Sequence, residues 1–123
     1  MRILDSNLVI YAAKTEFSFL RPLILDKASC VSIITKLEAL GYRNLTNDDK
    51  AYLEGVFKTT TVLAIDDTVI DQAILLRQAR KMSVGDAIIA ATALLNDFDL
   101  YTNNADDFSH ISDLTVINPF ISK

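Results

Sequence analysis

The stretch Ser83-Val84-Gly85-Asp86-Ala87-Ile88-Ile89-Ala90-Ala91-Thr92-Ala93-Leu94-Leu95 decides the fold. From Asp86 onward its residues are apolar nearly all round, which leaves no face for water. A surface helix keeps a polar stripe, whereas a helix apolar on every side belongs in the centre of a protein. Its start carries a small polar residue and a carboxylate, the types that helix N-termini favour.

Working outward, the preceding segment Val69–Arg80 has Val69, Ile70, Ala73, Ile74 and Leu76 at helical spacing, with Arg77, Arg80 and Lys81 late, where cations suit the helix dipole. Downstream, Asp99–Thr102 reads as a strand, and Leu114–Ile117 as another closed by Pro119. Upstream, Arg2–Leu4 is a short strand, Ala28–Ile34 an apolar, β-branched one, and Thr60–Ile65 a third. Helices are expected over Asn7–Ala13, Phe17–Leu25, Lys36–Tyr42 and Asp48–Phe57. Strands separated by helical segments require crossover connections and a sheet covered on both faces. The predicted architecture is a three-layer α/β/α sandwich with a central parallel sheet of four to five strands, formed as one domain by residues 1–123. Ligands in such folds bind beyond the carboxyl ends of the strands, where the strand order reverses.

Composition narrows the function. Half of the 123 residues are hydrophobic and 23% are charged, as in a compact folded chain. Cys30, the single cysteine, lies in an apolar run and reads as a buried, inert thiol. The start Met1-Arg2-Ile3-Leu4-Asp5 has an acidic residue where a secretory signal would build its apolar core, and no run approaches the roughly 18 apolar residues needed to span a bilayer. The expected location is therefore the cytoplasm, with no membrane partner. The net charge is -4. Binding to nucleic acid through phosphate contacts normally calls for a basic surface, so an acidic chain acting on phosphates must supply positive charge locally. Bound divalent cations would do so, as would Lys and Arg gathered on one face.

Four acidic positions stand out. Asp5 ends the first strand; Glu38 follows Thr35 by three, Asp86 follows Ser83 by three, and Asp107 follows Asn104 by three. That spacing is also the capping-box spacing, in which the third residue reaches back to an orphan backbone N–H, so helix capping is a competing account of each. The set argues for more. Asp5, Glu38 and the Asn104–Asp107 segment each follow a strand, so a parallel sheet gathers them at one edge, and Asp86 opens the central helix toward the same region. Neighbouring carboxylates repel and raise one another's pKa unless a cation neutralises them. An oxygen-rich cluster lacking Cys and His suits Mg²⁺ or Mn²⁺. Such ions hold phosphate oxygens, activate water and stabilise the leaving oxygen of an in-line displacement.

Ile3-Leu4-Asp5-Ser6-Asn7, Ser32-Ile33-Ile34-Thr35-Lys36-Leu37-Glu38, Gly85-Asp86-Ala87-Ile88-Ile89-Ala90-Ala91-Thr92-Ala93 and Tyr101-Thr102-Asn103-Asn104-Ala105-Asp106-Asp107-Phe108 together resemble the PIN-domain ribonucleases, and within them the VapC-type toxins of toxin–antitoxin pairs. The resemblance implies a Mg²⁺- or Mn²⁺-dependent endoribonuclease acting on RNA, a homodimer and a cognate antitoxin. Asp5, Glu38 and Asp86 match the family's first three acidic positions, and Ser6 matches a small hydroxyl residue often found near the metal. The fourth position departs from the pattern: the earlier place is Asn104, which can ligate only through its amide oxygen, and Asp107 stands before Phe108. Asp107 is taken as the acidic contributor, Asn104 as a neutral ligand or water-holder, and Asp106 as solvated.

Other readings compete. A phosphoacceptor receiver domain has a similar length and sheet, with Asp66-Asp67 after the third strand, but it needs an acidic pair at Asp5 and a Lys after the last strand; Lys123 is merely terminal. An Asp-x-Asp phosphatase fails at Asn7. A PIN scaffold that binds protein and cleaves weakly or not at all is the remaining alternative, kept alive by Asn104. Lys14, Lys36, Arg43, Arg77, Arg80 and Lys81 are candidates for an RNA path, against the plainer account of solvated charge. Phe17 and Phe19 cannot share one side of a regular helix, so one of them is a candidate for lining an antitoxin groove.

Overall fold

The computed structural model describes residues 1–120; Lys123 lies outside them. Five parallel strands form one sheet in the order β3-β2-β1-β4-β5: β1 Arg2–Leu4, β2 Ser29–Ser32, β3 Thr61–Leu63, β4 Asp99–Tyr101 and β5 Val116–Ile117. Six α-helices connect or flank them: α1 Ser6–Ala12, α2 Arg21–Leu25, α3 Ile33–Leu40, α4 Asn47–Thr59, α5 Asp67–Ala79 and α6 Val84–Asn96.

Strand alternation builds the layers, because successive side chains point to opposite faces of a sheet. Ile3, Cys30 and Leu100 join Ile89, Ala90 and Ala93 of α6 in one core. Their neighbours Leu4 and Val31 join Leu8 and Val9 of α1, Ile24 of α2, Ala39 of α3 and Leu53 and Val56 of α4 in the other. The expected α/β/α sandwich is thus present, with five strands. The opposite face of α6 (Ala87, Ile88, Ala91) packs on Val69 and Ala73 of α5, which is why α6 has no polar stripe. Cys30 is fully buried, and burial pushes its thiol up to about 11, as expected of an inert cysteine.

Several boundaries differ from the sequence reading, each for a local reason. The helix expected over Phe17–Leu25 is a 3-10 turn, Thr15–Leu20, followed by α2; Phe17 leaves helical geometry at φ -110° and ψ 21°. Pro22 lacks the N–H that a continuous helix would need there, and it sits instead in the first turn of α2, where that donor is dispensable. The strand expected over Ala28–Ile34 stops at Ser32, whose hydroxyl accepts from the Ile34 N–H at 3.2 Å and so starts α3. Capping outranks the strand propensity of Ile33 and Ile34 here. Glu38 therefore lies in the interior of α3, and the Thr35–Glu38 pair is no capping box. Asp66 caps α5, accepting from the Val69 N–H at 3.0 Å, after the edge strand β3. A capping Asp at the sheet edge, and a strand order other than the 2-1-3-4-5 of flavodoxin-like folds, exclude the receiver-domain reading.

Candidate functional site

The order β3-β2-β1-β4-β5 reverses at β1, so the crevice between the carboxyl ends of β1 and β4 is the switch point where ligands bind. Asp5 and Thr102 are the first residues beyond those strands, and the Asp5 N–H bonds to the Tyr101 carbonyl at 2.9 Å. The Asp5 carboxylate does not cap α1. It accepts instead from the Thr102 hydroxyl at 2.7 Å, with Asp5 4% exposed and Thr102 fully buried. Burial raises the Asp5 pKa, the bonds from Thr102 and the Ser6 backbone oppose that rise, and the charges of Glu38 and Asp107 add to it.

Glu38 approaches from α3. The Ser6 hydroxyl donates to Glu38 Oε1 at 2.7 Å and lies 2.9 Å from the Thr35 hydroxyl. A serine has one hydroxyl proton, and here it points to Glu38, so Thr35 is the donor to Ser6. A chain of hydroxyls thus runs from buried Thr35 through Ser6 to the exposed Glu38 carboxylate. The other side of that carboxylate lies against Gly85: a Cβ there would stand 2.7 Å from Glu38 Oε2. The missing side chain of Gly85 is what lets Glu38 rest on the first turn of α6.

Asp86 sits in that turn. Ser83 caps α6 by accepting from the Asp86 N–H at 3.1 Å, so the half of the capping box made by the serine is present. Burial, followed by the charges of Asp5 and Asp107, pushes the Asp86 carboxyl up to about 6; Glu38 adds to the rise, and the Ser83 hydroxyl partly offsets it. Asp107 ends a 3-10 turn, Ala105–Asp107, whose Asn104 makes no side-chain cap. Both Asn104 and Asp107 are exposed. The Asn104 backbone N–H bonds to the Thr102 hydroxyl at 3.0 Å, which ties this turn to Asp5. Asp107, unlike Asp106, is among the charges that raise both Asp5 and Asp86.

Asp5 and Asp86 are within electrostatic reach of each other and of both Glu38 and Asp107, and Ser6 joins the group through Glu38. Among the described residues, however, no three His, Cys, Asp or Glu side chains stand close enough to share one ion. Mg²⁺ commonly keeps several waters and takes one or two carboxylates plus substrate phosphates, so a loose all-oxygen cluster of mutually repelling groups fits such an ion chemically. Thr102, Thr35 and Gly85 belong to the site and were not singled out from sequence. Their partners are distant in the chain, and only the Ser/Thr-rich flanks of the acidic positions hinted at them. His110, the single histidine, has neither ring nitrogen hydrogen-bonded within the described residues.

Arg77, Arg80 and Lys81 line one cleft with Met82, Ser83, Asp86, Asp106 and Asp107. The other candidate cations stand elsewhere: Lys14 is paired with Asp49, and Lys36 lies beside Ile33 and Leu37 on α3. Phe17 stacks on Tyr11 with ring centroids 5.0 Å apart, whereas Phe19 is exposed and meets Phe120 edge-on.

These features define a PIN domain: the PIN domain family matches residues 2–114, and the chain belongs to it. Solved structures share the fold over nearly the whole length. A toxin–antitoxin complex from Klebsiella pneumoniae is 25% identical, with a TM-score of 0.77 over 97% of this chain and 98% of that one. VapBC-1 from nontypeable Haemophilus influenzae is 25% identical, with a TM-score of 0.70 over 95% and 96%. DNA-bound VapBC from Salmonella typhimurium is 23% identical, with a TM-score of 0.79 over 96% and 98%. The likeness to VapC-type toxins read from the sequence is to the same group. No curated protein matches the chain.

Proposed function

We propose that this chain is a metal-dependent endoribonuclease and the toxin of a toxin–antitoxin pair. The observation that carries the reading is the acidic surroundings of Asp86 beside the switch point: Asp5 stands buried just beyond β1, and Asp86 is raised to about 6 by burial and by the charges of Asp5, Asp107 and Glu38. A carboxyl raised by burial and by specific acidic neighbours in a crevice is a functional-site candidate.

Asp5, Asp86, Glu38 and Asp107 are the side chains that would hold Mg²⁺ or Mn²⁺, with Asn104 offering a neutral amide oxygen. The ion would supply charge neutralisation, an activated water and stabilisation of the leaving oxygen. The protein groups prepare for that. Thr102 orients Asp5 and partly opposes the rise that burial imposes on its pKa; Ser6 and Gly85 fix where Glu38 can lie; Asp86 is poised so that a cation favours its charged form.

The partners proposed are RNA as substrate, an antitoxin protein and a second copy of the chain, all in the cytoplasm. Support for the antitoxin comes from the similar solved structure from Klebsiella pneumoniae, which is a toxin–antitoxin complex. Support for a protein-covered face comes from Ile70, Ile74 and Val84, which line an apolar groove between α5 and α6. No helix among the described residues is long and apolar enough to cross a membrane.

The test is incubation of the purified chain with single-stranded RNA and, separately, single-stranded DNA, with Mg²⁺, with Mn²⁺ and with chelator. RNA cleavage that needs the metal supports the reading. A folded chain that binds an antitoxin yet leaves RNA intact under every metal condition favours the scaffold reading.

A further inference from the structure

Three cations, Arg77, Arg80 and Lys81, line a cleft that Asp86 and Asp107 also line. The cleft measures about 480 Å³ and is built where α5 ends and α6 begins. Arg77 lies in the last turn of α5, and its Nε donates to the Met82 carbonyl at 3.1 Å, which fixes the connection between the helices. Met82 is buried in the sheet-side core, so Arg80 and Lys81 are carried on a tethered segment. Both are exposed, and neither forms an ion pair within the described residues. Asp86, Asp106 and Asp107 line the same cleft. One cleft therefore holds unpaired positive charge together with two residues of the candidate metal site, in a chain whose net charge is -4.

We infer that Arg80 and Lys81, on the scaffold fixed by Arg77, bind the phosphodiester backbone of single-stranded RNA and lead it to the carboxylates. The inference rests on the proposed ribonuclease reading. The physical argument is that an anionic polymer is repelled by an acidic protein except where fixed cations offset the repulsion. Cations on the tethered α5–α6 connection offer a fixed charge pattern, and a phosphate seated there has its neighbour within the same cleft as Asp86 and Asp107. Phosphate contacts set register and carry no sequence preference, so these cations contribute affinity rather than choice of sequence.

The test uses the full-length chain carrying Asp5→Asn, to suppress cleavage, and a fluorescein-labelled single-stranded RNA of mixed sequence read by anisotropy across a salt series. Adding Arg80→Gln and Lys81→Gln is expected to weaken binding roughly tenfold at low salt and to reduce the slope of log Kd against log salt by about 1.4, the value for two lost phosphate contacts on a single strand. A control removes the same charge elsewhere by Lys27→Gln and Lys50→Gln, exposed residues outside the cleft; it is expected to leave both quantities within twofold of the parent. Thermal melting checks that each variant is folded. The inference is overturned if the cleft variant binds as the parent does, if both double variants weaken binding equally, or if the parent binds no RNA. Binding is read without cleavage, so loss of the ribonuclease reading and loss of this one are separate results: the first shows as no metal-dependent cleavage by the unsubstituted chain, the second as no difference between the two double variants.

Discussion

The Thr102 hydroxyl donates to Asp5 Oδ2 at 2.7 Å, joining residues 97 apart in sequence across the point where the sheet reverses its strand order. The same hydroxyl oxygen accepts from the Asn104 N–H, so one buried side chain fixes both the first carboxylate and the turn that carries Asp107. Thr102→Val keeps the shape and removes both bonds. Groups that orient metal ligands typically matter by about 10- to 100-fold in metal affinity or activity. The variant is expected to need at least about tenfold more Mn²⁺ for half-maximal cleavage. An unchanged Mn²⁺ requirement in a folded variant would remove Thr102 from the site.

Gly85→Ala tests the position of Glu38. The added methyl would meet the end of a flexible, exposed side chain rather than backbone, so Glu38 can swing away and the fold should tolerate the change. Alanine is also the better helix former by about 1 kcal/mol. Stability is thus expected to hold or rise while cleavage falls about tenfold, in keeping with displacement of a metal-site group. Equal activity with the methyl in place would show that Glu38 is not needed where it lies.

The fourth acidic position is settled by comparing neighbours. Asp107→Asn is expected to lower cleavage by two orders of magnitude or thereabouts, and Asp106→Asn by less than about twofold, because only Asp107 is among the charges felt by both Asp5 and Asp86. The reverse ranking, read from initial rates under one metal concentration, would move the site toward Asp106.

Asp86 makes a prediction about pH. Its folded-state pKa of about 6 lies above the ordinary carboxyl value of 3.8, so the folded chain binds this proton more tightly than the unfolded one. Stability then falls as pH rises through that interval. Without metal, the melting temperature of the wild type is expected to drop between about pH 4 and pH 7 more steeply than that of Asp86→Asn. At pH 7 the variant should be the more stable of the two. Added Mn²⁺ should narrow the gap, since a cation favours the ionised carboxylate. Parallel pH curves for the two proteins would contradict the coupling.

Much of the site was legible because its parts are local. A helix apolar all round, an acidic residue after the first strand and a repeated Ser/Thr-to-carboxylate spacing are all visible within short windows, and they placed Asp5, Asp86 and α6 in one region. Failures had two sources. Propensity and periodicity were outweighed by local chemistry at Ser32, where a cap ended β2 before Ile33 and Ile34, and at Pro22, where a missing N–H divided an expected helix. The second source is distance: nothing near Thr102 announces a partner 97 residues away, and nothing near Gly85 announces that its absent side chain makes room for Glu38. Glu38 was singled out because it follows a strand, and the capping spacing that competed with that reading is one it does not use. Of six scattered cations, only the fold could show that Arg77, Arg80 and Lys81 share a cleft with Asp86.

The central claim is that the carboxylates beyond β1 and β4 form a metal-dependent catalytic centre for RNA hydrolysis, and Asp5 is its most buried member. The direct measurement is the initial rate of RNA cleavage by wild type and Asp5→Asn, side by side at saturating Mn²⁺, with circular dichroism confirming equal folding. A fall of at least about 100-fold in the variant, and loss of wild-type activity on chelation, is the predicted result. Cleavage that survives both the substitution and the chelator would contradict the account.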